Sequence, residues 1–328
     1  MHIRPGRDRS AEGQPAHAGS ARGRSVLIWV PMNPVADALA DLDGARVEVI
    51  TPDGRPLPSS ATEVEFYVPP FFPDPEAVAA MAHMPRLRVV QTLTAGFDRV
   101  RPLVPAGAVL CNARGVHDAS TAEWVVGAAI AALRQFPYFA VEQAAGRWSY
   151  RFTDCLAGKT VLIAGYGSIG RAVERRLAGF DVRVLRVARS ARDGVSPASD
   201  LPSLLPGADV VILLMPVTPA TVGIVDASFL GAMKDGALLI NAARGVLVVT
   251  EDLVAEVSSG RLFAAMDVTD PEPLPSGHPL WFSPNVLITP HVGASTPYSG
   301  LMAVRFVREQ AERYLAGQPL ANVITGDY

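Results

Sequence analysis

Along the chain, short apolar runs alternate with longer mixed segments. Val26–Val30, Val47–Ile50, Glu65–Val68, Val89–Leu93 and Val109–Cys111 read as strands of one small α/β unit. A second series begins at Val161–Ala164 and continues at 182–187, 209–215, 237–242, 262–268 and 285–289. Runs that are apolar at consecutive positions suit strands buried on both faces, as in a parallel sheet with helices on either side. Six of them separated by helix-length segments predict a doubly wound parallel sheet. Between the two series, residues 120–136 are apolar nearly all round, which predicts a buried helix, capped by Asp118, Ser120 or Thr121 and suited to a subunit interface. Residues 297–316 place Leu301, Val304, Val307, Ala311 and Leu315 at helical spacing. That helix follows the completed sheet and is expected to return to the first unit.

The stretch with the most chemical content is Thr160–Gly170, Thr-Val-Leu-Ile-Ala-Gly-Tyr-Gly-Ser-Ile-Gly. Gly165, Gly167 and Gly170 have G-x-G-x-x-G spacing between a strand and the helical stretch Arg171–Ala178. In a dinucleotide site the first glycine permits the tight turn and the second lets a pyrophosphate approach the backbone. The third lets helix and strand pack closely, and the helix N-terminus offers free N–H groups to the phosphates. A specific site for the unphosphorylated dinucleotide carries an acidic residue at the end of the second strand, about 20 residues on. Here that place is Ala188, followed by Arg189 and Ser190, with Arg186 and Arg192 nearby. No carboxylate is there to repel a 2′-phosphate, so the expected cofactor is NADP in preference to NAD.

Three polar residues follow late strands: Arg244, Glu272 and His291. All are expected at the carboxyl edge of the sheet, the edge of the glycine loop. A guanidinium binds carboxylates bidentately. A carboxylate beside an imidazole fixes its tautomer and favours its charged form. Such a pair can give a proton to a carbonyl oxygen as a hydride reaches its carbon. In the first unit, Thr94-Ala-Gly-Phe-Asp98 follows a strand directly, and N–H groups around Ala95 and Gly96 could hold a carboxylate. His278 looks structural, while His83 and His117 have no acidic partner identifiable from sequence.

Together these segments resemble the D-isomer-specific 2-hydroxyacid dehydrogenase family over roughly residues 25–328. The resemblance rests on Gly165–Gly170, Asn241-Ala-Ala-Arg-Gly245, Asp267-Val-Thr-Asp-Pro-Glu-Pro-Leu-Pro275 and Thr289-Pro-His-Val-Gly-Ala-Ser295. It implies that Arg244 binds the substrate carboxylate and carbonyl, that His291 is the acid/base and that Glu272 is its partner. It implies a substrate loop at Thr94, Ala95 and Gly96. With the glycine loop and the end of the second strand, the expected cofactor residues are Gly165, Gly167, Ser168, Ile169, Gly170, Ala188, Arg189, Ser190 and Pro216, and the resemblance implies Ala242, Ala243, Asp267 and Gly293 at the nicotinamide half. It also implies a flavodoxin-like substrate domain, discontinuous in sequence (25–118 and 296–328), a Rossmann-type dinucleotide-binding domain (119–295) and a homodimer formed through the latter. Two departures stand out. Thr269 occupies a place where an aromatic residue is frequent, and the acidic residue after the second strand is missing. Glu272 argues against a formate dehydrogenase, which has glutamine there.

Composition narrows the rest. The chain has 328 residues, 49% of them hydrophobic, and a net charge of −3. That describes a globular protein with a large core and gives no reason to expect nucleic-acid or membrane partners. Residues 1–24 are nearly devoid of apolar content and read as a disordered tail without a secretory signal. Cys111 and Cys155 are expected to be small core residues in a reducing compartment, the cytoplasm, and no metal-ligand spacing occurs. The expected activity is reduction of a small 2-keto acid such as glyoxylate, hydroxypyruvate or a branched keto acid. A dehydrogenase of a phosphorylated hydroxy acid would need a cationic pocket, for which Arg86, Arg88, Arg99 and Arg101 are available. A cofactor-sensing, corepressor-like binding protein would bind the cofactor with negligible turnover.

Overall fold

The computed structural model describes residues 25–326. The tail expected at 1–24 lies outside the described residues. The first five strands are β1 (Val26–Val30), β2 (Ala45–Val49), β3 (Val64–Tyr67), β4 (Val89–Gln91) and β5 (Val109–Cys111), with helices α1 (Asn33–Leu39) and α2 (Pro75–Ala79). They form a wholly parallel sheet of order β2-β1-β3-β4-β5, the flavodoxin-like order. Helix α3 (Asp118–Leu133) leads out of this unit, and α4 (Phe136–Ala144) follows. The expected helix thus stops short of 136. Gln135 takes a left-handed conformation (φ 54°) and turns the chain into a second helix that the apolar pattern did not separate.

The second sheet contains β6 (Thr160–Ala164), β7 (Arg183–Ala188), β8 (Ser196–Pro197), β9 (Val210–Leu213), β10 (Leu238–Asn241), β11 (Phe263–Met266) and β12 (Val286–Ile288). Between them run α5 (Ser168–Leu177), α6 (Leu201–Leu204), α7 (Ala227–Ala232) and α8 (Thr250–Ser258), and α9 (Pro297–Leu315) closes the helical series. The strand order is β12-β11-β10-β9-β6-β7-β8, parallel throughout. This is the doubly wound Rossmann-type order, reversing between β6 and β9, where ligands of such sheets bind. Six strands match expectation. The seventh, β8, has two residues, one of them proline, so no hydrophobic run marked it.

Each sheet is buried on both faces. Leu162 and Ala164 pack with β9–β11 and α7 and α8 on one side, while Val161 and Ile163 pack under α3 and α5 on the other. The last helix does return: Ala303, Val307 and Ala311 bury against Val35, Leu39, Phe66 and Val89 of the first unit. Leu301, expected on that inner face, is half exposed, because the face is set by Ala303, Val307, Gln310 and Ala311 instead. Gln310 donates to Gln91 Oε1 at 2.8 Å, and Ile324 N–H donates to Leu110 O at 2.9 Å. The two crossings between the units lie side by side. Ser120 at the start of α3 meets Thr296 (2.7 Å) and Ser299 (2.9 Å) at the start of α9. Cys111 is buried as expected, and burial pushes its thiol up to about 12. Cys155 is exposed and not a core residue, since it sits in the irregular segment before β6. Among the described residues, no single helix is long and apolar enough to cross a membrane.

Candidate active site

A cavity of about 460 Å³ lies between the carboxyl ends of the two sheets. Arg244, Glu272, His291, Thr94, Ala95, Gly96, Ile169, Ala242 and Asp267 all line it. The sequence therefore brings its candidate catalytic and substrate-loop residues to one place, from strand ends far apart in the chain.

Arg244 follows β10 through a turn bracketed by the fully buried Asn241. The Asn241 side chain accepts from Ala243 N–H (3.0 Å) and donates to Arg244 O (2.9 Å). The guanidinium donates to Ala243 O at 2.7 Å and to Asp98 Oδ1 at 3.2 Å. It lies so close to the loop after β4 that a Cβ at position 96 would sit 1.6 Å from Arg244 Nη2, so a side chain there would displace the guanidinium. The loop is held from behind: Asn112 donates to Ala95 O (2.7 Å), Thr94 Oγ1 to Gly96 O (2.7 Å) and Ala113 N–H to Thr94 O (2.9 Å). Among the described residues the N–H groups of Ala95 and Gly96 have no acceptor. Free N–H groups beside a guanidinium form a site for a carboxylate.

His291 and Glu272 meet at 2.6 Å, Nδ1 to Oε1. A carboxylate only accepts, so Nδ1 carries the proton in this pair. Both side chains are about 30% exposed (28% and 30%), which leaves the imidazole edge open to the cavity. The backbone of His291 is left-handed (φ 55°), rare outside glycine. It is held there by hydrogen bonds from its N–H to Asp267 O (2.7 Å) and Thr289 O (3.0 Å). Asp267 organises the whole loop. Its buried carboxylate accepts from Thr289 Oγ1 (2.6 Å), Val292 N–H (2.8 Å) and Gly293 N–H (2.8 Å).

The glycine loop fits a dinucleotide. Gly165 has φ 107°, and a Cβ there would lie 2.4 Å from the Leu214 backbone. Around Gly167 a Cβ would meet open space, as an approaching phosphate requires. Helix α5 starts at Ser168, three residues earlier than expected, so the N–H groups of Ser168, Ile169 and Gly170 belong to its first turn and have no intrahelical acceptor. Ala188 ends β7, and the exposed Arg189 and Ser190 follow it beyond the carboxyl edge. Arg186 is committed elsewhere: its guanidinium grips Glu174 (Nε to Oε1, 2.9 Å), which holds the Glu174 carboxyl below its usual range. Arg192 donates to Tyr166 O. Pro216 lies exposed past β9, with its carbonyl accepting from Thr221 Oγ1 at 2.7 Å.

Some residues of the site have no role assigned from the sequence. Asp98 pairs with Arg244 across the two units. Phe71 and Phe72, from the loop after β3, wall the cavity, and the Phe72 ring stands edge-on to His291 with centroids 5.3 Å apart. His117 also lines it, buried, with Nε2 2.7 Å from Leu93 O. Of the four arginines available for a phosphate pocket, Arg99 alone lines the cavity, and it is exposed.

Residues 126–293 match the family model described as D-isomer specific 2-hydroxyacid dehydrogenase, NAD binding domain. The chain is 35% identical over 224 residues to a mouse glyoxylate reductase/hydroxypyruvate reductase, covering 64% of this chain and 68% of that one. It is 32% identical over 252 residues to a D-3-phosphoglycerate dehydrogenase of Methanocaldococcus jannaschii, covering 73% of this chain and 48% of that one. A D-isomer specific 2-hydroxyacid dehydrogenase from Xanthobacter autotrophicus, solved with NADPH and MES, superposes with a TM-score of 0.79 at 28% identity, covering 92% of this chain and 98% of that one. The fold and site define an NAD(P)-dependent oxidoreductase. The chain belongs to the D-isomer specific 2-hydroxyacid dehydrogenase family.

Proposed function

We propose that the protein reduces a small, unphosphorylated 2-keto acid to the D-2-hydroxy acid, with NADPH preferred over NADH. The observation that carries this reading is the convergence of Arg244, the Ala95 and Gly96 N–H groups and the His291–Glu272 pair on one cavity. Arg244 and the free N–H groups bind the carboxylate. His291, oriented by Glu272 at Nδ1, gives a proton from Nε2 to the carbonyl oxygen. The reduced nicotinamide, when bound, supplies the hydride. Ser168, Ile169 and Gly170 hold the pyrophosphate, while Ala242, Ala243 and Gly293 border the nicotinamide half. Ala188 leaves room for a 2′-phosphate, which Arg189 and Ser190 contact. The Xanthobacter relative with NADPH supports that preference.

Residues 25–118 with 296–328 act as the substrate domain, and 119–295 as the cofactor domain. A homodimer forms through the latter. Its α4 and the segment after it expose Phe136, Val141, Trp148, Tyr150 and Phe152, more apolar surface than a monomer usually leaves bare. The cytoplasm is the proposed location. The test is loss of NADPH absorbance with a panel of 2-keto acids, beginning with glyoxylate and hydroxypyruvate, the substrates in the mouse relative's name. Absence of turnover on every member, with cofactor binding intact, would instead identify a sensor.

A further inference from the structure

We infer that the preferred substrate is a monocarboxylic 2-keto acid with a bulky apolar side chain, branched alkyl or aryl, seated against the Pro-Pro-Phe-Phe-Pro loop at 69–73. The inference rests on the proposed reduction and names the substituent beyond the reacting carbon. Two of the three groups on that carbon are accounted for by polar partners. The carboxylate faces Arg244 and the Ala95–Gly96 loop, and the carbonyl oxygen faces His291. The third must point at what remains of the wall.

The stretch of that remainder beside His291 is apolar, while Thr121, Ser295, Thr296 and Ser299 line the side toward α3 and α9. Phe71, Phe72 and Pro70 come from the loop after β3, and Phe97 and Val100 from the segment after β4. Phe72 touches the His291 ring edge-on at 5.3 Å, so it begins right beside the reacting carbon. Phe71 continues the wall to His117, with ring centroids 6.1 Å apart. The cavity of about 460 Å³ is shared with the nicotinamide half, whose proposed neighbours Ile169 and Ala242 also line it, so the side chain takes the part bounded by the 69–73 loop. Glyoxylate has only hydrogen to place against this wall. A branched or aromatic side chain would displace water from it, and each added methylene in an apolar pocket is worth roughly 10–200-fold in discrimination.

Charge points the same way. Asp98 Oδ1 lies 3.2 Å from Arg244 Nη2, so one anionic group already shares this partly exposed cation. A single substrate carboxylate can join that arrangement through the fork and the free N–H groups. A second anionic group on the substrate would meet Asp98 and the aromatic wall, and among the described arginines lining the cavity Arg99, exposed at the rim, is the one left to receive it. This disfavours phosphorylated substrates.

Steady-state kcat/KM at saturating NADPH should be measured for glyoxylate, hydroxypyruvate, phosphohydroxypyruvate, 4-methyl-2-oxopentanoate and phenylpyruvate. The last two should exceed glyoxylate by at least about tenfold. Phe71→Ala and Phe72→Ala should each shrink the ratio of 4-methyl-2-oxopentanoate to glyoxylate by about tenfold, a readout that general loss of folding would not move. Equal or better use of glyoxylate, hydroxypyruvate or the phosphorylated acid overturns the inference and leaves the proposed reduction standing. If nothing is reduced, the proposed reaction falls. Calorimetry on the complex with oxidised cofactor then decides the pocket. Tighter binding of 4-methyl-2-oxopentanoate than of glyoxylate upholds the apolar wall, and equal or weaker binding removes it too.

Discussion

The two walls of the cavity are built differently. The wall from the second sheet holds Arg244, Glu272 and His291 on turns fixed by directed hydrogen bonds. Asn241 brackets the Arg244 turn, and Asp267 gathers three donors from the His291 loop. On the first-sheet wall, the Thr94–Gly96 loop is fixed in the same way, by Asn112 and Thr94. Phe71 and Phe72 are not. They stand on a proline-rich loop, meet neighbours through ring edges, and Phe72 is 58% exposed. Groups that move protons or bind charge need a geometry within fractions of an ångström, which only directed bonds enforce. Groups that recognise an apolar side chain need only area and shape. In the proposed reaction the second-sheet wall, with the Thr94–Gly96 loop, does the chemistry, and the 69–73 loop of the first-sheet wall selects the side chain.

Substitutions on the two walls should therefore fail differently. The largest effect is expected from His291→Ala, which removes the proposed proton donor. Its kcat should fall by about 10²–10⁴-fold while NADPH affinity, read by fluorescence titration, holds. Near-full activity would take His291 out of the reaction. Arg244→Lys keeps the charge but loses the planar fork. Loss of one charge-assisted hydrogen bond costs about 1.5–3 kcal/mol, or roughly 10–150-fold in kcat/KM. The loss should appear chiefly in KM, and an unchanged KM would dissociate Arg244 from the carboxylate.

The same contrast explains what was readable from the sequence. Directed bonds need particular residue types at fixed offsets, so they leave motifs. Gly245 follows Arg244 because a Cβ there would lie 1.9 Å from Thr269 O, and that crowding is written into the string Asn241-Ala-Ala-Arg-Gly. The glycine loop and the three polar residues are legible for this reason, the strands are legible from their apolar runs, and the strand order is carried by the structure alone. Asp98 belongs to a legible motif, but its pairing with Arg244 is not legible, because that contact spans 146 positions and two sheets. Phe71 and Phe72 look like any apolar pair beside prolines. The strand β8 and the break at Gln135 were invisible because backbone context, not hydrophobic period, creates them.

A smaller effect tests the cofactor edge, away from both walls. Ala188→Asp with Arg189→Ala places a carboxylate where a 2′-phosphate would lie and removes a cation. Two unit charges ~4 Å apart interact by about 4 kcal/mol at an effective dielectric of about 20, and exposure and salt reduce this strongly. A shift of about tenfold toward NADH in kcat/KM is expected, at one ionic strength, with wild type preferring NADPH. Equal or better use of NADH by wild type would remove the preference, and a static ratio in the double variant would remove these residues from it.

The smallest effect belongs to His117, which lies on the first-sheet wall but touches no proposed reacting atom. Its Nε2 sits 2.7 Å from Leu93 O and donates to it, while Nδ1 is buried without a partner among the described residues. Burial lowers its pKa, outweighing the Leu93 carbonyl and the nearby Asp118, which both favour the charged form. The unfolded chain takes up a proton near pH ~6.5, the ordinary histidine value, whereas the folded protein resists it to lower pH. Between those two values the unfolded state binds more protons, so stability rises with pH. The contribution is complete above pH ~6.5 and is lost as pH falls through the folded value. Its slope is at most about 1.4 kcal/mol per pH unit. His117→Gln can still donate to Leu93 but does not titrate. Urea midpoints measured from pH 7 down to pH 5 should therefore fall less steeply in that variant than in wild type, whatever its stability at pH 7. Parallel slopes would mean that the acid sensitivity of the fold resides elsewhere, and that the wall selecting the substrate side chain is not also a weak point toward acid.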